Sequence, residues 1–255
     1  MRTITTLVLL FVSSIIVAQK TINATEILKK ISKEENITIS NATVVGILDL
    51  TFMDKALPNL PKRKKWWSNG GSNTVPKQIL SSISFVNCVF EDDVLAYIPH
   101  EDSGYTFIAN FEDDVTFRDC TFEGKAMFKY SDFEGNTDFS GTKFLEDTTF
   151  KYAEFEKAIS FKNTNFDEPA TFKRAKFREF VSFANSIFQE EATFKYTEFK
   201  GGVSFNNVKF EEDLNIKYME VSGDFDVKNM IVNYDIDSKY TKINGRSFNS
   251  YLFKK

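Results

Sequence analysis

The sequence predicts an all-β solenoid, a four-sided coil wound repeatedly through nearly the whole chain. Three observations carry this. From Phe117 to Phe210, eighteen phenylalanines follow one another at alternating spacings of five and six residues without a miss. Neither the 3.6-residue period of a helix nor the two-residue period of a strand produces that rhythm. Two residues before each Phe sits a small or β-branched residue, as at Val115, Cys120, Ala126, Ser131 and Thr137. A small residue followed by a large one, both pointing inward, describes one short side of a coil. Finally, other residue types repeat only at twice the 11-residue unit. Lys129-Tyr130, Lys151-Tyr152, Lys173-Arg174, Lys195-Tyr196, Lys217-Tyr218 and Lys239-Tyr240 recur at that doubled interval, as do Asn163, Asn185, Asn207 and Asn229. One coil is therefore four sides, about 22 residues, and each column is a ladder with rungs about 4.8 Å apart.

The elements follow in chain order. "MRTITTLVLLFVSSIIVAQK" carries one Arg, an apolar stretch from Ile4 to Val17, and Ala18 before Gln19. It reads as a signal peptide over residues 1–18, cleaved after Ala18. An uncleaved anchor is the rival, but the run is short and broken by Ser13 and Ser14. Residues 19–36 read as a capping helix. Asn23 stands three residues before Glu26, and Ile27, Leu28 and Ile31 share a face. Such a cover protects the unpaired strand edges at the end of a solenoid. The solenoid occupies 37–245. Counting its sides backward from Phe117 exposes two insertions, at 54–77 and 97–106, both leaving between side three and side four of successive coils. They are expected to project from one corner and touch. The same count places Cys88 over Cys120 as stacked, buried thiols. Residues 246–255 form a C-terminal cap, with Phe248, Tyr251 and Leu252 closing the last coil.

The repeated unit, a small residue two positions before a central Phe, resembles the pentapeptide-repeat family. The resemblance covers roughly residues 37 to 245. It implies a right-handed quadrilateral β-helix. The chain departs from the family's usual pattern in two respects: every second side gains a residue, and Asp or Asn is mostly missing just before the central residue.

Three groups of residues are candidates for function. The corner made by the two insertions holds Lys62, Arg63, Lys64, Lys65, Trp66 and Trp67, and also His100 and Tyr105. Two Trp beside four cations suit stacking on sugar rings or gripping an anionic chain. The plainer alternative is a Trp pair that pins a long loop to the body. A second candidate is the surface ladder of Tyr130, Tyr152, Arg174, Tyr196 and Tyr218, read either as a flat aromatic platform or as a stabilised sheet face. A third is the acidic ladder of Glu146, Glu168, Glu190 and Glu212, which reads as a solvated face, the alternative being a site for Ca²⁺ or a basic partner on like charges that repel.

No metal-ligand spacing, phosphate loop or nucleophile motif appears, so no metal, cofactor or catalytic residue is expected. The formal charge is −4, and nucleic acid is not an expected partner. Some pentapeptide-repeat proteins imitate duplex DNA to occupy gyrase. The export signal and the Lys column both argue against that role here. The expected function is a non-catalytic scaffold, secreted or held in the periplasm or cell envelope of a Gram-negative bacterium, that binds an unknown protein or glycan, with no membrane span after cleavage. The alternative is a carbohydrate-active enzyme with its site on the two insertions.

Overall fold

The computed structural model describes residues 20–60 and 73–249. Its strands are short and fall into four sheets of nine, ten, eight and eight strands, parallel except for two antiparallel pairs in the ten-stranded sheet. Side 1 begins at Ile37–Ser40, side 2 at Ala42–Val45, side 3 at Leu48–Asp49 and side 4 at Thr74–Ile79. From Val115 onward, each strand pairs with its counterpart one full coil later, as in Thr137↔Ile159, Phe144↔Phe166, Thr148↔Ala170 and Phe155↔Phe177. The chain is a four-sided solenoid.

The alternating rhythm has a local cause at the corners. After a side-3 or side-1 Phe, the chain turns within five residues, and the second residue beyond the Phe takes a left-handed backbone. Tyr152 (φ 61°), Arg174 (61°) and Tyr196 (61°) do so at one corner, and Asn163 (58°), Asn185 (61°) and Asn207 (54°) at the other. The turn closes when the next N–H donates to the Phe carbonyl, as Ala153 does to Phe150 (3.0 Å) and Ser186 to Phe183 (3.0 Å). Asn accepts this backbone readily. A non-glycine residue otherwise gives up roughly 1–2 kcal/mol there. At the Tyr corner stacking offsets that cost, as between Tyr196 and Tyr218 at 4.6 Å, and at the other corner Asn185 Nδ2 donates to Asn163 Oδ1 (3.0 Å), Asn207 to Asn185 (3.0 Å) and Asn229 to Asn207 (2.8 Å). The remaining two corners take six residues.

Inside, the phenylalanines form four columns. Phe139, Phe161 and Phe183 stack at 5.3 and 4.9 Å between ring centroids, and neighbouring columns meet edge to face, as do Phe150 and Phe161 at 5.2 Å. Small inward residues fill the space beside them. On side 2 they also secure the coil below: Thr164 Oγ1 donates to the Phe139 carbonyl (3.0 Å) and Ser186 Oγ to that of Phe161 (2.6 Å). Cys120 Sγ reaches the Phe85 carbonyl in the same way, at 3.6 Å.

The N-terminal cover differs from a plain helix over 19–36. Lys20–Asn23 is a strand that pairs in parallel with Ala42–Val45, adding a rung beneath side 2, and the helix is confined to Ala24–Ile31. The alternation Thr21–Asn23 can serve a strand as well as a helix lead-in, and a free edge beneath side 2 decides between them. Asn23 is the N-cap, accepting from Thr25 N (2.9 Å), and Ala24, Ile27 and Ile31 are buried. At the far end Arg246–Ser247 folds back antiparallel on Lys242–Ile243, and buried Phe248 packs on Phe225. Tyr251 and Leu252 lie outside the described residues. Among the described residues no helix is long and apolar enough to cross a membrane.

Candidate functional site

The described ends of the two insertions meet. Thr74–Ile79 returns to side 4 from the first insertion and pairs in parallel with Tyr105–Phe111, which returns from the second. Tyr97–His100 runs out antiparallel to that strand, with His100 opposite Tyr105. Together these strands make a three-stranded fin that continues the side-4 sheet past its corner. His100 and Tyr105 are thus cross-strand neighbours at the fin's tip. Ser103 Oγ lies 2.9 Å from His100 Nδ1, Tyr105 N donates to Ser103 Oγ (3.2 Å), and the His ring stands edge-on to Phe107 at 6.3 Å. Tyr105 is buried. Lys62, Arg63, Lys64, Lys65, Trp66 and Trp67 lie outside the described residues.

The surface ladder continues in both directions beyond Tyr130 and Tyr218. Tyr97 meets Tyr130 at 5.9 Å, Tyr130 meets Tyr152 at 4.8 Å, Tyr196 meets Tyr218 at 4.6 Å and Tyr218 meets Tyr240 at 4.8 Å. The Arg174 guanidinium sits between Tyr152 and Tyr196, at 5.7 and 4.7 Å from their ring centres. Tyr97 was not legible as a member from spacing, because the insertion separates it from the register of the coils. The geometry corrects the picture of a flat platform. Apart from Tyr97, tilted at 48° to Tyr130, the paired rings stack face to face along the solenoid axis, so each covers its neighbour's face and the column offers ring edges and hydroxyls. The reason is the rung spacing itself, which is close enough for aromatic side chains on successive strands to stack.

Beside this column on side 4 runs a groove of about 610 Å³. One wall is Tyr152, Arg174, Tyr196, Tyr218 and Tyr240, and the other is Glu154, Lys176, Glu198, Glu220 and Lys242. Lys176 Nζ bonds Glu154 at 2.5 Å, and Arg178 reaches Glu154 and Glu156. The hydrogen bond to Glu154 raises Lys176 above the ordinary lysine value, and the one to Glu156 raises Arg178. Burial, reinforced by the charge of Glu154, raises Asp132 at the groove's N-terminal end. The lysines before each Tyr do not line the groove. Their ammonium groups lie over the rings from the side-3 flank, as Lys195 does over Tyr196 at 5.5 Å.

Cys88 and Cys120 are both reduced and buried, one directly above the other through the register Val89↔Thr121. The hydrogen bond between the thiols and burial push Cys120 well above the usual thiol range, while the same bond favours Cys88 as the group that ionises first. Glu146, Glu168, Glu190 and Glu212 stand at the corner between sides 2 and 3. Among the described residues no group of three or more His, Cys, Asp or Glu could hold a metal ion.

A family model described as pentapeptide repeats, in nine copies, matches residues 109–154, 150–198 and 161–209. No curated protein and no solved structure matches the chain. The matched residues run through the middle of the solenoid, where every side keeps its buried Phe, and the same register continues to either end. Residues 109–209 of this solenoid are thus pentapeptide repeats, built on an 11-residue double unit.

Proposed function

We propose that this repeat scaffold is exported, carries out no catalysis itself, and binds a protein or glycan partner along side 4. The observation that supports this reading is the groove beside the Tyr–Arg column. Its two walls present polar groups on every rung, about 4.8 Å apart: a Tyr hydroxyl or the Arg174 guanidinium on one wall and a carboxylate or ammonium on the other. Ring faces are consumed by stacking, so an extended partner is held by repeated hydrogen bonds at ring edges. The apolar N-terminal stretch from Ile4 to Val17 supports export.

The test combines a glycan array with a pull-down, comparing the mature chain with a variant carrying Tyr152→Phe, Tyr196→Phe, Tyr218→Phe and Arg174→Gln. This variant keeps the stacked rings and removes three hydroxyls and the guanidinium charge from the Tyr–Arg wall. Loss of a retained ligand at unchanged melting temperature supports the reading. A ligand bound equally by both proteins moves the site elsewhere.

A second reading, a carbohydrate-active enzyme at the fin, draws on the 2.9 Å approach of Ser103 Oγ to His100 Nδ1. Against it, Ser103 N also reaches His100 Nδ1 (3.3 Å) and Tyr105 N bonds the Ser hydroxyl, a set of contacts that closes a hairpin turn. A polysaccharide hydrolysis screen that His100→Ala abolishes would establish it.

A further inference from the structure

Charge is not spread evenly around this rod. The corner between sides 1 and 2 is an Asn ladder, and that between sides 4 and 1 mixes both signs. The two corners that bound side 3 are segregated instead. On its side-2 edge, the rungs from Leu145 to Asp213 carry carboxylates and no cation. On its side-4 edge, Lys151, Lys173, Arg174, Lys195 and Lys217 carry cations and no carboxylate. The stacked column members are at rung spacing, so like charges repel along each edge. Lys151, Lys195 and Lys217 lie over the Tyr rings beside them and Arg174 lies between two rings, but ion pairing does little to relieve the repulsion. Lys217 reaches Asp237 at 3.9 Å, Asp147 is met by Lys125 at 3.7 Å, and Glu211 by Lys209 at 2.5 Å. Among the described residues Glu146, Glu168, Glu190, Glu212, Lys151, Lys173 and Lys195 are in no ion pair. Between the two ladders, the residues next to the inward ones on side 3 are short: Thr149, which is buried, and the half-buried Thr171, Thr193 and Asn215.

We propose that the chain forms a homodimer through side 3, two parallel rods in register, with the carboxylate ladder of each copy against the lysine ladder of the other. A twofold axis along the solenoid axis is the operation that achieves this. It brings the side-3 faces together and exchanges their edges, so Glu146 meets the Lys151 of the second copy, Glu168 meets Lys173, Glu190 meets Lys195 and Glu212 meets Lys217. A twofold axis across the rods would place carboxylates on carboxylates. The interface is isologous and closed, as most homodimers are. Both ladders share one rung spacing because both are built on the same coils, so the match persists along the rod. A polyanion in the lysine ladder would neutralise one edge and leave the other unrelieved, whereas a second copy relieves both. The short threonines let the faces approach. The contact follows the coils beyond the fin, which projects past side 3 at the first two coils, and it leaves the side-4 groove open. The proposal does not depend on what that groove binds.

The experiment is sedimentation velocity on the mature chain at about 50 mM and about 500 mM NaCl, since screening shortens to a few ångströms at the higher salt. Two charge-reversed variants accompany it, one with Lys151→Glu, Lys173→Glu and Lys195→Glu, the other with Glu146→Lys, Glu168→Lys and Glu190→Lys. The unaltered chain is expected to dimerise at low salt and dissociate at high salt. Each variant alone is expected to be monomeric, and their equimolar mixture to form a one-to-one dimer. Should a reversed variant lose its fold by circular dichroism, the Lys→Gln and Glu→Gln versions replace it, and each is expected to weaken dimerisation. Orientation is read from Thr171→Cys and Thr193→Cys made separately. Both give interchain disulfides in a parallel, in-register dimer, and at most one does in an antiparallel dimer. A monomeric chain at low salt, variants that dimerise like the parent, or a mixture that stays monomeric overturns the proposal. A monomeric chain retained on heparin through Lys151, Lys173 and Lys195 would assign that ladder to a polyanion instead.

Discussion

Phe161→Ala tests whether the solenoid is held by its aromatic columns. Phe161 is fully buried among other rings. It is sandwiched by Phe139 at 5.3 Å and Phe183 at 4.9 Å, both within 3° of parallel, and meets Phe150, Phe172 and Phe166 at 5.2, 5.3 and 6.4 Å. Truncating a buried Phe to Ala costs about 3–5 kcal/mol, through lost transfer energy and the cavity left behind. Aromatic pairs add about 0.5–1.5 kcal/mol each beyond their buried area. Relaxation is restricted here because each rung is pinned by backbone bonds to the rungs on either side, so the loss should fall at the upper end, about 5 kcal/mol. The control is Lys162→Ala, one residue on and exposed, which should cost under about 0.5 kcal/mol. Equilibrium urea unfolding, followed by far-ultraviolet circular dichroism, compares the midpoints. The slope of free energy against urea must stay the same, because a long repeat array can lose cooperativity when its middle is weakened. Equal losses at both positions would refute the inward assignment of the Phe columns.

Other consequences can be measured on the same footing. Thr164→Val keeps the shape but leaves the bond to the Phe139 carbonyl unmade, and should lower unfolding free energy by about 1–2 kcal/mol in the urea assay. Gly202 has φ +93°, and an added Cβ would lie 2.6 Å from the Asp224 carbonyl oxygen, so Gly202→Ala should lower the melting temperature clearly more than Ala184→Gly. The folded-state pKa of Cys120 lies above the unfolded value near 9.0. The unfolded chain therefore gives up that proton first, and the stability this thiol contributes is fully present below pH 9 and is lost as pH rises beyond it. Cys120→Ala should flatten that decline, and iodoacetamide should leave Cys120 unmodified in the folded protein at pH 9. If the N-terminal segment is an export signal, the mature protein recovered from the producing cells should begin at Gln19, as read by N-terminal sequencing.

The solenoid and its register were determined by the sequence. A side chain that must be buried on every short side of a coil returns at the length of that side, and no other regular structure repeats at five and six. The columns of Lys, Tyr and Asn then fix the length of the coil, because a ladder residue recurs only when the chain has gone once around. The Asn corner was readable in detail as well, since Asn is the residue that takes a left-handed backbone most easily and can bond to its own copy one rung away. Other features required the tertiary structure. Tyr in the same left-handed position carries no local signal, and only the stacking of rings across rungs shows how that backbone is sustained and why ring faces are hidden. Tyr97 joins the column although an insertion displaces it from the period, because contact between rungs is decided in space. The strand at Lys20–Asn23 exists because a sheet edge beneath side 2 has unpaired donors and acceptors to satisfy. The two charged edges of side 3 are regular in sequence, but that they flank one flat face of short side chains depends on how the coil closes.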